Sequence, residues 1–245
     1  MAEVAAEKDA RIICYPELFL TPWFPRQEDI SLTSWAQDAA SETLARFKTL
    51  SEKTKTVLII PFFESSGDKY YNSAAVFDSG KLVGVYRKNH IPNLELYREQ
   101  FYFSPGDTGF PVIETSQGKI GIQICWDNLF PEGARILTLK GAEIIFAPTA
   151  ASLNTHTLWE RAICANAFAN NTFIFRVNRV GKEEGISFYG RSFCVDPWGE
   201  MASELAGGKD AIVIADIDPK ERDAAAETWG FLKKRRPSEY GDLVK

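Results

Sequence analysis

Residues 119–150, KIGIQICWDNLFPEGARILTLKGAEIIFAPTA, restrict the fold more than any other stretch of the chain. Ile120, Ile122 and Ile124 alternate with Gly121 and Gln123, which is the period of a strand. Pro131 suits the first turn of a helix, where its missing N–H costs nothing. Ala134 and Leu137 continue that helix on one side, Gly141 stops it, and Ile144-Ile145-Phe146 open a second apolar run. The order is strand, elbow, helix, strand. Cys125 stands on the elbow. Structural cysteines usually sit inside elements, so this location asks for a chemical reason.

The same alternation of strands and helices runs through the whole chain. A helix over Ala2 to Lys8 leads into a short buried strand at 11–15. Leu44, Phe47 and Leu50 share one side of a helix over 41–53, and 57–62 (VLIIPF) is a buried strand. SAAVFD and LVGVYR flank a hairpin turn at Ser79-Gly80-Lys81. A helix over 155–171 places Leu158, Ala162, Ala165 and Ala169 on one face. Strands follow at 172–177, 191–196 and 211–216. No linker, low-complexity stretch or repeat interrupts this pattern, so residues 1–245 are expected to form a single domain. The expected fold class is α/β, a mixed-sheet protein with two sheets and outer helices.

Composition removes several function classes. A net charge of −5 gives no basic footprint for nucleic acid. No apolar run approaches the ~18 residues of a membrane span. The N-terminus, MAEVAAEKDARIICY, is charged and alanine-rich, unlike a signal peptide. Four cysteines without regular spacing read as reduced thiols, which implies a cytoplasmic protein. Two histidines, His90 and His156, are too few for a histidine-based metal site unless carboxylates complete it, and read as structural or surface residues. No metal and no organic cofactor is expected. Cys14, Cys164 and Cys194 fall within elements and read as core.

A nucleophilic thiol needs a base for its proton or a cation that favours the thiolate. Neither histidine has the surroundings of a base. The alternative is a carboxylate base with a lysine to stabilise developing negative charge. Glu17 follows the strand RIICYP, and Lys88 ends the strand LVGVYR. Strand ends converge on one edge of a layered α/β fold, so Glu17, Lys88 and Cys125 can meet there.

The strings YPELF, YRKNHIP, YREQFYFSPGDTGF, GIQICWDNLFPEGAR and GAEIIFAPTA resemble the carbon–nitrogen hydrolase (nitrilase) superfamily. FYGRSFCVDPWGE and WGFLKKRRPSEY near the end resemble it too, in order and at suitable spacings. Within it, the strings are most similar to the N-carbamoylputrescine amidase branch. The resemblance implies a four-layer αββα sandwich of the nitrilase type, with the usual first strand missing ahead of RIICY. It implies a cysteine-dependent hydrolase of amide or ureido carbon–nitrogen bonds that works through a thioester. By position, Glu17 is the general base, Lys88 the oxyanion-stabilising cation, Cys125 the nucleophile and Glu99 an orienting or proton-transfer partner. The Trp126 N–H completes the oxyanion hole. A cationic Lys88 close to Cys125 is expected to lower the thiol's pKa.

The resemblance also sets expectations for the substrate, a small amide or carbamoyl compound. Substrate-binding candidates are Trp126, Phe24, Ala150 and Asn154. Trp23, Tyr102 and Phe188 join Phe24 and Trp126 as candidate walls of an apolar pocket. Asn154, in PTAASLNTH, stands where the putrescine branch carries an acidic residue. A neutral amide supplies no counter-charge to a distal ammonium, and Glu95 is the nearest loop alternative. Other amidases or ureidases, such as N-carbamoyl amino acid or ω-amide hydrolases, a nitrilase, and a shortened non-catalytic homologue stay open. The resemblance further implies a homo-oligomer, a dimer or larger.

Overall fold

The computed structural model describes residues 1–152 and 154–245. In chain order its elements are α1 (Ala2–Ala6), β1 (Ile12–Cys14), α2 (Glu42–Thr54), β2 (Val57–Ser66), β3 (Lys69–Asp78), β4 (Lys81–Arg87) and α3 (Glu99–Tyr102). They continue with β5 (Ile113–Thr115), β6 (Gly118–Ile122), α4 (Pro131–Leu139), β7 (Ile144–Thr149) and α5 (His156–Asn170). The last are β8 (Phe173–Asn178), β9 (Val180–Glu183), β10 (Ile186–Tyr189), β11 (Phe193–Val195) and α6 (Pro219–Trp229). Short 3₁₀ turns include Phe24–Arg26, Ile30–Trp35 and Cys125–Leu129.

Two sheets carry the architecture. One runs β1-β2-β3-β4, the other β11-β8-β7-β6-β5. The pairs β1/β2, β6/β7 and β7/β8 are parallel, and the hairpins add antiparallel pairs. Alternation along β2 shows how the layers arise. Val57 and Ile59 face the space between the sheets, where they meet Ile122, Phe146 and Phe173. Leu58, Ile60 and Phe62 face the other way, against Leu44, Phe47 and Leu50 of α2. On the second sheet Ile145, Ala147 and Ile174 pack under Ala134 and Leu137 of α4 and Ile163 of α5. The sequence of layers is α2, sheet, sheet, α4 with α5, which is the αββα sandwich.

The strand–elbow–helix–strand unit is present as β6, the Cys125 turn, α4 and β7. Pro131 is the first residue of α4, and Gly141 follows its end with φ +95°. The Ser79-Gly80 turn has φ +48° and +77°, the conformation that suits a two-residue hairpin. Both strands of the first hairpin are longer than the sequence suggests. β2 and β3 pair over ten residues each, from Val57↔Asp78 to Ser66↔Lys69.

Two expectations fail. The buried face of α5 is Trp159, Ile163, Asn166, Ala167 and Asn170, whereas Leu158 is 61% exposed. Apolar residues ring most of this helix, so its pattern does not say which face packs inward. Residues 211–216, expected as a strand, form none. Among the described residues, no backbone hydrogen bond joins 207–217 to another segment. Their alternating apolar pattern is real, since Ala215 and Ile217 pack against the inter-sheet core. A strand also needs a partner edge, and 211–217 instead line a cleft of about 700 Å³. Ile12–Tyr15, 211–217, Phe146, Phe173 and Phe175 all line it. β1 has a partner on one side only. No helix among the described residues is long and apolar enough to cross a membrane.

Candidate active site

Cys125 sits in the left-handed region at φ +47°, which a residue with a Cβ adopts only at a cost of about 1–3 kcal/mol. A network of buried polar side chains holds it there. The Asp127 carboxylate accepts from the Ile124 N–H at 3.0 Å, the His90 N–H at 3.0 Å and the Tyr86 hydroxyl at 2.6 Å. His90 Nδ1 lies 2.8 Å from the same carboxylate, and its ring stacks on Phe130 with centroids 3.7 Å apart. Asn128 Nδ2 donates to the carbonyls of Gln123 and Cys125, each at 2.9 Å. Asn166 of α5 then donates to the Asn128 carbonyl at 2.8 Å. His90 thus packs into the Cys125 turn through its backbone N–H and its ring.

Lys88 follows β4 directly and is fully buried at its side chain. Its N–H donates to the Asn72 carbonyl and its own carbonyl accepts from the Gly106 N–H, both at 2.8 Å. Only glycine fits at 106, because a Cβ there would lie 2.2 Å from the Arg87 carbonyl oxygen. Lys88 Nζ donates to Glu17 Oε1 at 2.8 Å and to Glu99 Oε2 at 2.7 Å. Glu17 comes from the loop after β1, Glu99 from the start of α3, and both are 0% exposed. Arg179 fixes the Glu17 loop from the far end of the chain. Its guanidinium donates to the carbonyls of Glu17, Leu18 and Thr21 at 2.9–3.0 Å and is itself paired with Glu183.

Charge couples these groups. Burial would lower Lys88, but Glu17 and Glu99 outweigh it and hold the ammonium above its ordinary range. Burial pushes Glu99 up to about 7; the Lys88 charge opposes that rise, and the Glu17 charge adds to it. Cys125 feels all three. Burial raises its thiol well above the ordinary value, and Glu17 adds to that. Lys88 does pull the thiol down, in the direction expected from sequence, yet burial prevails. The balance favours the neutral thiol at Cys125.

The other predicted site residues divide. Ala150 is fully buried beside the thiol, where its backbone bonds to Cys125, and its carbonyl accepts from the Tyr97 hydroxyl at 3.0 Å. Trp126 is half-buried with its ring against Phe130, at 5.9 Å between centroids. Its backbone N–H has no acceptor among the described residues. Trp23, Phe24, Tyr102 and Phe188 fall into one apolar cluster with Tyr97, separate from the Trp126 ring. Phe24 lies under Phe63 and Tyr102, at 4.8 and 4.9 Å. Asn154 and Glu95 are exposed. Among the described residues, no group of three or more His, Cys, Asp or Glu is placed to hold a metal ion. Sequence reasoning missed Asn72, Asp127, Tyr97 and Arg179. The signal for Asn72 was an amide just before the apolar run Ala74–Phe77 of β3.

Residues 1–227 match the family model for carbon-nitrogen hydrolase. The chain belongs to the carbon–nitrogen hydrolase family. It is 38% identical to an N-carbamoylputrescine amidase of Arabidopsis thaliana, over 98% of this chain and 86% of that one. It is 36% identical to a citrullinase of Francisella tularensis, over 98% of this chain and 89% of that one. The crystal structure of a carbon-nitrogen hydrolase from Helicobacter pylori G27 superposes with a TM-score of 0.95 at 36% identity, covering 100% of this chain and 89% of that one.

Proposed function

We propose that this chain is a cysteine-dependent amidase or ureidase of small molecules, similar in chemistry to N-carbamoylputrescine amidase. The observation that carries the proposal is the buried Glu17–Lys88–Glu99 cluster, in which one ammonium bridges two carboxylates beside a strained Cys125. Glu17 takes the proton from Sγ. The thiolate attacks the amide or ureido carbonyl carbon, and the C=O electron pair moves onto oxygen. Lys88 and the Trp126 N–H stabilise that oxyanion, at about 3 kcal/mol per donor. The C–N bond breaks, and the amine or ammonia leaves with the proton that Glu17 held. The acyl or carbamoyl group stays on Sγ as a thioester or thiocarbamate. A water deprotonated by Glu17 then attacks, and Sγ leaves as the thiol.

Two relatives that act on ureido compounds, by their names, favour the ureido class. The exposed Asn154 places no counter-charge for a distal ammonium, so a substrate less cationic than N-carbamoylputrescine is also supported. A homo-oligomer is part of the proposal, and the exposed Leu129, Leu139 and Leu158 offer apolar surface for it.

Ammonia release tests the proposal. The panel is N-carbamoylputrescine, citrulline, N-carbamoyl-β-alanine, simple ω-amides and an aryl nitrile, with native chain and Cys125→Ala. Turnover of a ureido or amide substrate, lost in Cys125→Ala, is the expected result. A folded native chain inert toward the whole panel would favour the non-catalytic reading, and preference for the nitrile would favour a nitrilase.

A further inference from the structure

We propose that Asn72 is a positioning residue that gives the two oxygens of Glu17 separate duties: with Lys88 it occupies Oε1 and leaves Oε2 free to take the thiol proton. This rests on the reading of Glu17 as the base. Asn72 lies in β3, fully buried, one residue before the strand's pairing with β4 begins at Ser73↔Arg87. Its carbonyl accepts the Lys88 N–H at 2.8 Å, so the backbone sets the two side chains next to each other. Its Nδ2 donates to Glu17 Oε1 at 2.8 Å and to Glu99 Oε2 at 3.4 Å. Lys88 Nζ donates to the same two oxygens. Two donor contacts therefore converge on one oxygen of each carboxylate. The other oxygens, Glu17 Oε2 and Glu99 Oε1, are buried without a partner among the described residues.

A carboxylate held by one donor can turn about its last torsion, which is soft, and present either oxygen to the lysine. Two donors on one oxygen, arriving from different elements, remove that freedom. The bare oxygen then carries the lone pair available to a proton. As a core filler Asn72 is a poor choice: its own Oδ1 has no partner among the described residues, and an apolar side chain would avoid that. The groups facing the cluster are Lys88 after β4, Glu17 from the β1 loop, Glu99 of α3, Cys125 of the elbow and the Tyr97 hydroxyl. Asn72 is the neutral member that donates to both carboxylates, and its bond favours ionised Glu99. Without it, Glu99 takes up its proton at higher pH.

The test is kcat and KM against pH for native chain, Asn72→Asp, Asn72→Leu and Asn72→Ser, with thermal melts of each. Asp keeps the shape without the donor, Leu keeps the volume, and Ser keeps a short donor so that a mild variant is present. A misplaced base costs about a hundredfold, so kcat should fall by that order in Asp and Leu and by less in Ser. KM should change by less than about threefold, because the interaction is made with the base and not with substrate. The acid limb of kcat/KM should move up by about half a unit or more in every folded variant. Folded variants with the native acid limb, or losses of kcat that only follow the melting temperature, would overturn the proposal. Glu17→Gln is run beside them. If it turns over at the native rate, the base assignment is wrong, independently of Asn72.

Discussion

At Glu99 the cost of burial has a measurable sign. Burial, opposed by Lys88 and assisted by Glu17, lifts its carboxyl from 4.5 to about 7. Between those values the folded chain binds more protons than the unfolded one, so stability falls as pH rises through this window and levels off above it. Glu99→Gln cannot ionise and should flatten that slope in melts taken from pH 5 to 8; an unchanged slope would contradict the assignment. Asp127 is the second residue with a clear consequence. Asp127→Ala leaves the Ile124 N–H, the His90 N–H and the Tyr86 hydroxyl without their acceptor. Each orphaned buried group costs about 1–3 kcal/mol, so denaturant unfolding should report a loss of about 3 kcal/mol or more. At this scale the sequence exposed Glu17, Lys88 and Cys125 because each punctuates a strand end. Asn72 and Arg179 stayed hidden because their side-chain partners are distant, Arg179 meeting carbonyls some 160 positions away; Asp127 caps the nearby Ile124 N–H, but its bonds to His90 and Tyr86 span 37 and 41 positions.

Among the elements, the turn that carries Lys88 is the most constrained. Gly106→Ala sets a Cβ against the Arg87 carbonyl, so the 104–107 loop or the end of β4 must shift. Either shift moves Lys88, and kcat should drop by about a hundredfold while the two sheets stay folded. Wild-type kcat in that variant would show that the close approach is slack. Element legibility follows periodicity. α2 was readable because Leu44, Phe47 and Leu50 stand against charged neighbours on the other face. The packed face of α5 was not, because Leu158 and Trp159 both suit a core and only the sheet beneath selects Trp159. The β9/β10 hairpin was missed because its strands are short and carry charges, with Lys182 and Glu183 inside β9.

The whole molecule buries one core between two sheets and leaves one flank open. β1 and residues 211–217 both line the cleft, and among the described residues no backbone bond pairs them. Unpaired edges of this kind are sites for strand addition. Fusing a seven-residue apolar strand and a flexible linker ahead of Met1 should raise the melting temperature and slow amide exchange in Ile12–Tyr15 and 211–217. Slowed exchange on neither edge would show that the cleft does not accept a strand. The layers themselves were legible from alternating elements and the resemblance. The unpaired 211–217 segment was not, since an apolar pattern specifies faces and not partners.

The central claim is that Cys125 attacks the substrate and carries its acyl or carbamoyl group. Mass spectrometry of chain quenched during turnover tests it most directly. The claim predicts one added acyl or carbamoyl mass on the peptide containing Cys125, and neither adduct nor turnover in Cys125→Ala. Undiminished turnover by Cys125→Ala, with no adduct on the native chain, would contradict it.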